Sequence, residues 1–353
     1  MAFGQYTNLD FDQIKTSIKD YLKSNDNFTD YDFEGSNLSI VLDALAYNTY
    51  ITAYNTNMAV NENFLDSATL RENVVALARN IGYVPRSRKA SKAKISFNVQ
   101  GLDSAVTLTL KAGLVVNGVA ENTSYIFSIP EDITVPVKNN LAIFNEIEVF
   151  EGLLLTQNFT VNLTMSNQRF ILPNSYIDTD TIRVNVKSSE NSSTKVAYTP
   201  VDNIIGITST SNTYLLQEIE DERYEIMFGD GIIGRKLVNN NYVTISYLQT
   251  QGKSANGAAE FSFIGRLINQ DGAVVGGTNV SLVDTIERSR DGDDIESIAS
   301  IKYYSPRIYS SQYRAVTSSD YEAVLSYIYP NVESVTSYGG EELTPPRYGK
   351  VYL

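Results

Sequence analysis

The chain of 353 residues contains no cysteine, no histidine and no tryptophan. Without cysteine there is no disulfide framework, no thiolate nucleophile and no cysteine metal site. Without histidine, Ser-His-Asp catalysis, imidazole acid–base work and the common zinc sites are excluded. Only carboxylate, lysine or tyrosine chemistry would remain to an enzyme, so the expectation is a protein that is not an enzyme and holds no cofactor or metal. Apolar runs long enough to span a bilayer are also missing. The opening residues Met1-Ala2-Phe3-Gly4-Gln5-Tyr6 lack the basic and then apolar pattern of a secretory signal.

What is present is ordinary for a globular protein: 42% hydrophobic and 20% charged residues, in a length that suits two or three domains. A net charge of −13 argues against a nucleic-acid coat, because neutralising phosphates needs Lys and Arg. Neither nucleic acid nor a membrane is therefore expected as a partner. One local exception is the run Arg86, Arg88, Lys89, Lys92 and Lys94, with no acid among them. It suits a solvated linker or a basic contact patch for an acidic partner. The 24 tyrosines are assigned mostly to strands and core, and the rest to interfaces.

Three amphipathic helices are predicted within residues 8–85. The first, from about Asp10 to Lys23, carries Phe11, Ile14, Ile18 and Tyr21 on one face. Ser24-Asn25-Asp26-Asn27 breaks it. The second starts at a Ser36 N-cap and runs to Met58 or beyond. Ile40, Ala44, Tyr47, Ile51, Tyr54 and Met58 alternate by four and three, which is a heptad seam. Leu38, Leu42, Leu45 and Thr49 form a second stripe. Two seams on one helix ask for two sets of neighbours, and point to a bundle shared with other subunits. The third helix is placed from Asp66 or Ser67, with Leu70, Val74, Leu77 and Ile81 as its stripe, Gly82 as terminator and Pro85 blocking resumption. A domain boundary near Arg86 follows.

From Lys94 the period changes to two. Ile95, Phe97 and Val99 alternate with Ser96 and Asn98, and Val106–Leu110 repeats the pattern. Further strands are expected at Tyr125–Ile129, Ile133–Val137, Phe159–Leu163, Thr181–Val186, Tyr224–Phe228 and Tyr242–Leu248, in antiparallel sheet. Gly272 to Gly277 and the charge-dense 284–296 look like a surface connection. Helix returns near Asp294, and again from Ser319, where Ser319 and Glu322 have capping-box spacing and Pro330 closes the segment. Val332–Tyr338 and Lys350–Leu353 look like strands, and the abrupt stop suggests a longer polypeptide. The expected class is therefore α+β and multidomain: 1–85 helical, 86–285 β-rich in one or two subdomains, and 286–353 a small α+β part.

Gly229-Asp230-Gly231-Ile232-Ile233-Gly234 fits the dinucleotide pattern G-x-G-x-x-G, but no helix follows to receive a pyrophosphate. A hairpin turn with Asp230-Gly231 at positive φ is the better reading. Gly252-Lys253-Ser254 lacks the first glycine of a phosphate loop, because position 247 is Tyr247. Asp291-Gly292-Asp293-Asp294 lacks the ligand spacing of a calcium loop. Acid pairs such as Asp230 with Glu225, or Glu218 with Glu220, occur by chance among 41 acidic residues.

Several stretches resemble one family. Asn8-Leu9-Asp10-Phe11, Tyr31-Asp32-Phe33-Glu34-Gly35-Ser36, Leu45-Ala46-Tyr47-Asn48, Asn61-Glu62-Asn63-Phe64-Leu65-Asp66-Ser67-Ala68 and Ile81-Gly82-Tyr83-Val84-Pro85-Arg86-Ser87 are similar to the inner baseplate wedge proteins of T-even-type contractile-tailed phages. Phe228-Gly229-Asp230-Gly231 with Gly234, Tyr247, Gly252, Tyr313-Arg314-Ala315-Val316-Thr317 and Asp320-Tyr321 resemble the wider baseplate J-like group. The resemblance implies a structural subunit of the virion tail baseplate, assembled in the host cytoplasm. It implies a helical bundle with a second copy of itself and another wedge protein, contacts with further wedge and hub-proximal tail proteins, and the start of a J-like domain at 286–353. Two other classes stay open: a receptor- or glycan-binding tail component, and a carboxylate-dependent glycan-degrading enzyme.

Overall fold

A computed structural model of the chain describes residues 7, 10–24, 36–102, 105–165, 168–201, 206–276, 279–312, 314–329, 332 and 334–353. The polar break at 25–27, the motif at 31–35, Asn8, Leu9, Gly277, Tyr313 and Pro330 lie outside these residues. The chain divides into two compact units, one of residues 1–84 with 297–353, the other of residues 85–296. N-terminal helices are followed by a β-rich region, an α+β arrangement.

Among the described residues the first unit holds five α-helices. Helix α1 (Phe11–Lys23) is capped by Asp10, whose carboxylate accepts from the N–H groups of Asp12 and Gln13. Helix α2 (Asn37–Asn61) starts at Ser36, whose hydroxyl accepts from Ser39 N–H as its residue type predicts. Helix α3 (Arg71–Asn80) begins four or five residues later than the apolar spacing suggests. The reason is Glu62, whose carboxylate takes Thr69 N–H, the Thr69 hydroxyl, Leu70 N–H and Asn73 Nδ2, and so holds 62–69 as a turn. Gly82, at φ +82°, ends α3. Its N–H reaches Arg79 O and that of Tyr83 reaches Ala78 O, a Schellman closure that needs the left-handed residue.

Helices α4 (Ile298–Ser311) and α5 (Ser318–Ile328) belong to the same unit. Ala68, Val74, Val75, Ala78 and Tyr83 share a core with Ile301, Ile308 and Ala323. The segments 1–85 and 286–353 are separate in the sequence-based scheme, whereas here the helices of the latter complete the core of the former. Helix α4 starts at a Ser297 cap rather than near Asp294. The capping box of α5 is Thr317 with Asp320, not Ser319 with Glu322; the Glu322 carboxylate instead accepts from Ser337 N–H. The two expected terminal strands shrink to a pair, β18 (Tyr338–Gly339) and β19 (Val351–Tyr352).

The second unit holds two sheets. The first is built on β1 (Lys92–Gln100), where Ala93, Ile95, Phe97 and Val99 are buried in strict alternation. It pairs with β6 (Leu141–Glu151) and β17 (Asp284–Arg290). The sheet also contains β2 (Thr107–Leu110), β3 (Gly113–Ala120), β4 (Thr123–Ile129), β5 (Ile133–Lys138), β14 (Glu260–Phe263), β15 (Leu267–Asn269) and β16 (Val274–Val275). Phe97 stacks on Phe144 at 4.8 Å in its core. The charge-dense 284–290, expected as a connection, is thus a strand. One of its charges is matched across the ladder, with Lys94 Nζ 3.1 Å from the Glu287 carboxylate, while Arg290 stands opposite Lys92 and pairs with Glu287 of its own strand.

The second sheet runs in the order β7 (Leu153–Thr160), β13 (Tyr242–Gln249), β9 (Ile177–Lys187), β10 (Lys195–Pro200), β11 (Thr213–Glu218), β12 (Tyr224–Phe228), β8 (Phe170–Ile171). One pair departs from the expected antiparallel scheme: β10 and β11 are parallel, with Thr199 opposite Thr213. Among the described residues Tyr83, Tyr198, Tyr214, Tyr224 and Tyr247 are buried, Tyr125, Tyr304 and Tyr327 pack against the cores, and Tyr242 and Tyr352 lie on strands, while others such as Tyr21, Tyr47 and Tyr54 are exposed on helices.

Candidate functional site

The residues singled out by sequence fall on distinct surfaces. On α2 the buried line is Ser39, Leu42, Ala46, Asn57 and Asn61. Asn57 exchanges hydrogen bonds with Thr7, its Oδ1 accepting from Thr7 N–H and its Nδ2 donating to the Thr7 hydroxyl. Helix α1 lies against α2, and Lys15 Nζ stands 2.5 Å from the Asp43 carboxylate. The heptad seam points away from this line. Ile40 is 64% exposed and Tyr47 61%, and Ala44 and Tyr54 are also exposed; Ile51 and Met58 are half-buried. The second stripe is split: Leu42 is buried, Leu38 half-buried, Leu45 and Thr49 exposed. Neither stripe alone is the inward face, because Ser39 and the two asparagines occupy it and pattern reading counts only apolar residues.

Helix α1 has no fully buried residue. Phe11, Ile14 and Ile18 are half-buried and Tyr21 is 71% exposed. On α3, Val74 is buried and Leu77 partly buried in the unit's own core, while Leu70, at the N-cap position before the helix, is exposed. Large apolar groups thus reach solvent along α1 and α2 together, a pattern associated with contact surfaces.

The polar residues of α2 fit the same picture. The hydroxyls of Thr49, Thr52 and Thr56 donate to the carbonyls of Leu45, Asn48 and Thr52 at 2.8–2.9 Å. These exposed donors are satisfied within the helix, so covering this face would orphan none of them.

The basic run does not form an uncompensated patch. Arg86 Nε lies 3.9 Å from the Glu296 carboxylate, Arg88 3.2 Å from Asp294, Lys89 4.0 Å from Asp180, Lys92 3.5 Å from Asp291 and Lys94 3.1 Å from Glu287. Each base faces an acid that is distant in sequence but adjacent in the fold of the same unit.

The glycine-rich segment 229–234 is a tight loop. Strand β12 leads into it, but β13 pairs with β7 and β9, so it does not close a β-hairpin as expected. Asp230 accepts from Ile232 and Ile233 N–H, which holds its carboxyl below the usual range. Those N–H groups would have to be free to cradle a phosphate. Glu225 forms a two-pronged ion pair with Arg169 at 2.8 and 2.6 Å. Among the described residues no group of acids could hold a metal ion, and no helix is long and apolar enough to cross a membrane.

Comparison with known proteins matches two parts of the chain. The family described as "Baseplate wedge protein gp6-like, helical domain" covers residues 10–83, the stretch that ends at the Gly82–Tyr83 closure. "Baseplate structural protein gp6, C-terminal domain I" covers residues 317–353. Two segments of the chain are thus similar to gp6-like baseplate wedge domains. Over 344 residues it is 29% identical to the baseplate wedge protein gp6 of Enterobacteria phage T4, a match covering 90% of this chain and 49% of that protein. The chain therefore spans about half the length of that relative. The baseplate of the anti-feeding prophage, solved by cryo-EM, contains a chain that superposes with a TM-score of 0.32 at 15% identity, over 95% of this chain and 60% of that one. The exposed seam of α2 lies within the segment matched by the gp6-like helical family, and the basic run lies outside both matched segments.

Proposed function

We propose that this chain is a structural, non-catalytic subunit of a contractile-tail baseplate wedge, sited in the virion tail. The observation that carries the proposal is the apolar seam Ile40, Ala44, Tyr47 and Tyr54, exposed on α2 inside the segment matched by the gp6-like helical family. A second copy of the chain and another wedge protein cover this seam and the Phe11–Tyr21 face of α1 in a composite bundle. Residues 85–296 space and orient the wedge. When the sheath contracts, the bundle is the durable joint and the contacts of the β-rich unit are the ones that change.

Changing Ile40 and Tyr54 together to Asp tests the bundle, since both are exposed and their loss leaves the chain's own packing intact. The full chain, mixed with candidate wedge proteins, is expected to give a complex whose mass exceeds that of the single chain. The double variant is expected to keep its helix content and to stay alone. A variant that still assembles, or an unaltered chain that stays monomeric with every wedge protein, overturns the assignment.

A further inference from the structure

Two carboxylates lie buried where the chain passes between the two sheets of the 85–296 unit. Glu151 ends β6, and the chain turns through Gly152 into β7 of the other sheet. Asp178 lies near the start of β9. Both are 3% exposed. Each is held by neutral donors. Glu151 Oε2 accepts from the Thr250 hydroxyl at 2.5 Å and from Gln251 N–H at 3.0 Å. Asp178 accepts from Ala90 N–H at 2.9 Å and from Asp180 N–H at 3.0 Å.

The Ala90 bond belongs to a strap, residues 87–91, that ties both sheets. On the side of the second sheet, the Ser87 hydroxyl meets the Thr179 hydroxyl at 2.8 Å and accepts from Thr179 N–H, next to the Asp178–Ala90 bond. On the side of the first, Lys89 and Asp293 exchange backbone bonds, Glu151 N–H donates to Ser91 O, and the Ser91 hydroxyl donates to Gly252 O. The charged groups around Asp178 are Lys89 from the strap and Asp180 from β9, themselves 4.0 Å apart. Arg88 faces Glu151, but its guanidinium is engaged by Asp294 at 3.2 Å and by the Tyr176 ring at 4.5 Å; Lys253 also pairs with Asp294.

We propose that the 87–91 strap is a pH-sensitive latch between the two sheets, closed while Asp178 carries its proton and loosened when that carboxylate ionises. Burial is the main cause. It penalises the charged form and, with Asp180 adding repulsion, lifts Asp178 to about 6 against the pull of the Ala90 N–H and of Lys89. Burial likewise pushes Glu151 up, over the opposing effects of Thr250, Gln251 and Arg88. The sign follows from linkage. A carboxyl raised in the closed state binds its proton more tightly there than when the strap opens to water, so opening becomes easier as pH rises through 6.

Amide hydrogen exchange at Ala90 in the full chain, corrected for the intrinsic pH dependence of exchange, tests the latch. Between pH 5 and pH 7.5 its protection is expected to fall about ten-fold, while that of Phe97 and Val243 in the strand interiors stays constant. Asp178→Asn should flatten the Ala90 profile. Asp180→Asn, which removes a like charge and frees Lys89 from that partner, should move the midpoint to lower pH on both counts, and it decides the matter if Asp178→Asn does not fold. Protection at Ala90 that ignores pH in the unaltered chain, or a midpoint unmoved in Asp180→Asn, overturns the proposal.

Discussion

Glu62 shows how much one side chain decides here. Partial burial alone would raise its pKa, but bonds from Thr69, Asn73 and Leu70 outweigh it and bring the carboxyl down to about 2. A group depressed in the folded state contributes stability above its unfolded pKa, near 4.5, and loses that contribution as pH falls toward 2. Glu62→Gln should cost the helical unit about 1–2 kcal/mol at pH 7, a figure discounted for solvent screening. It should also flatten the acid limb between pH 5 and pH 2. Denaturant unfolding followed by helix signal at several pH values measures both effects. An unchanged acid limb in the variant would show that Glu62 does not hold the turn. This residue also explains an error of pattern reading. The apolar positions around Leu70 continue the third stripe upstream, and nothing in their spacing reveals that a carboxylate eight residues earlier claims the N–H of Leu70.

At the scale of elements, the same helix separates two kinds of apolar residue that look alike in sequence. Leu42 is 3% exposed and Ile40, two residues before it, is open to solvent. Leu42→Ala is expected to destabilise the helical unit by about 2–3 kcal/mol, because it removes buried methyl groups and leaves a void. Ile40→Ala should change stability by less than about 0.5 kcal/mol. Thermal unfolding of the two variants checks the contrast; equal losses would mean that the seam is already covered within the chain. Period and caps made α1, α2 and most central strands legible, since Ile95, Phe97 and Val99 must alternate in a half-covered sheet. Strands such as β17 were not legible. Asp284–Arg290 owes its place to its antiparallel pairing with β1, where Lys94 meets Glu287, and a one-dimensional pattern carries no information about that partner. The inward face of α2 was hidden for a related reason: Asn57 is buried because Thr7 satisfies it, fifty residues away. The basic run lost its apparent charge in the same way, through acids at 180, 287, 291, 294 and 296.

At the scale of the whole chain, the decisive feature is that the two ends of residues 85–296 are bonded to each other. Arg86 N–H donates to the Glu296 carboxylate at 3.0 Å, and Glu296 N–H donates to Arg86 O at 3.1 Å. Three residues further in on each side, Lys89 and Asp293 exchange two backbone bonds at 3.0 Å. The two ends of the segment are thus sealed against each other by bonds that lie within it, and among the described residues its two hydrophobic cores are built from the segment's own side chains. A segment with its own cores and closed ends has what independent folding requires. Residues 85–296 expressed alone are expected to be soluble, rich in β-structure and to unfold cooperatively. The complementary chain, 1–84 joined to 297–353 by a short glycine–serine linker, is expected to keep its helices, because its ends would be held at the spacing that Arg86 and Glu296 now maintain. Circular dichroism and calorimetry of the two pieces give the outcome. A β-segment that is molten alone, or a melting profile of the full chain with one transition that neither piece reproduces, would mean that the division follows contacts only and not folding. Two separate transitions would fit a subunit whose helical joint stays assembled while its β-rich unit is free to change partners.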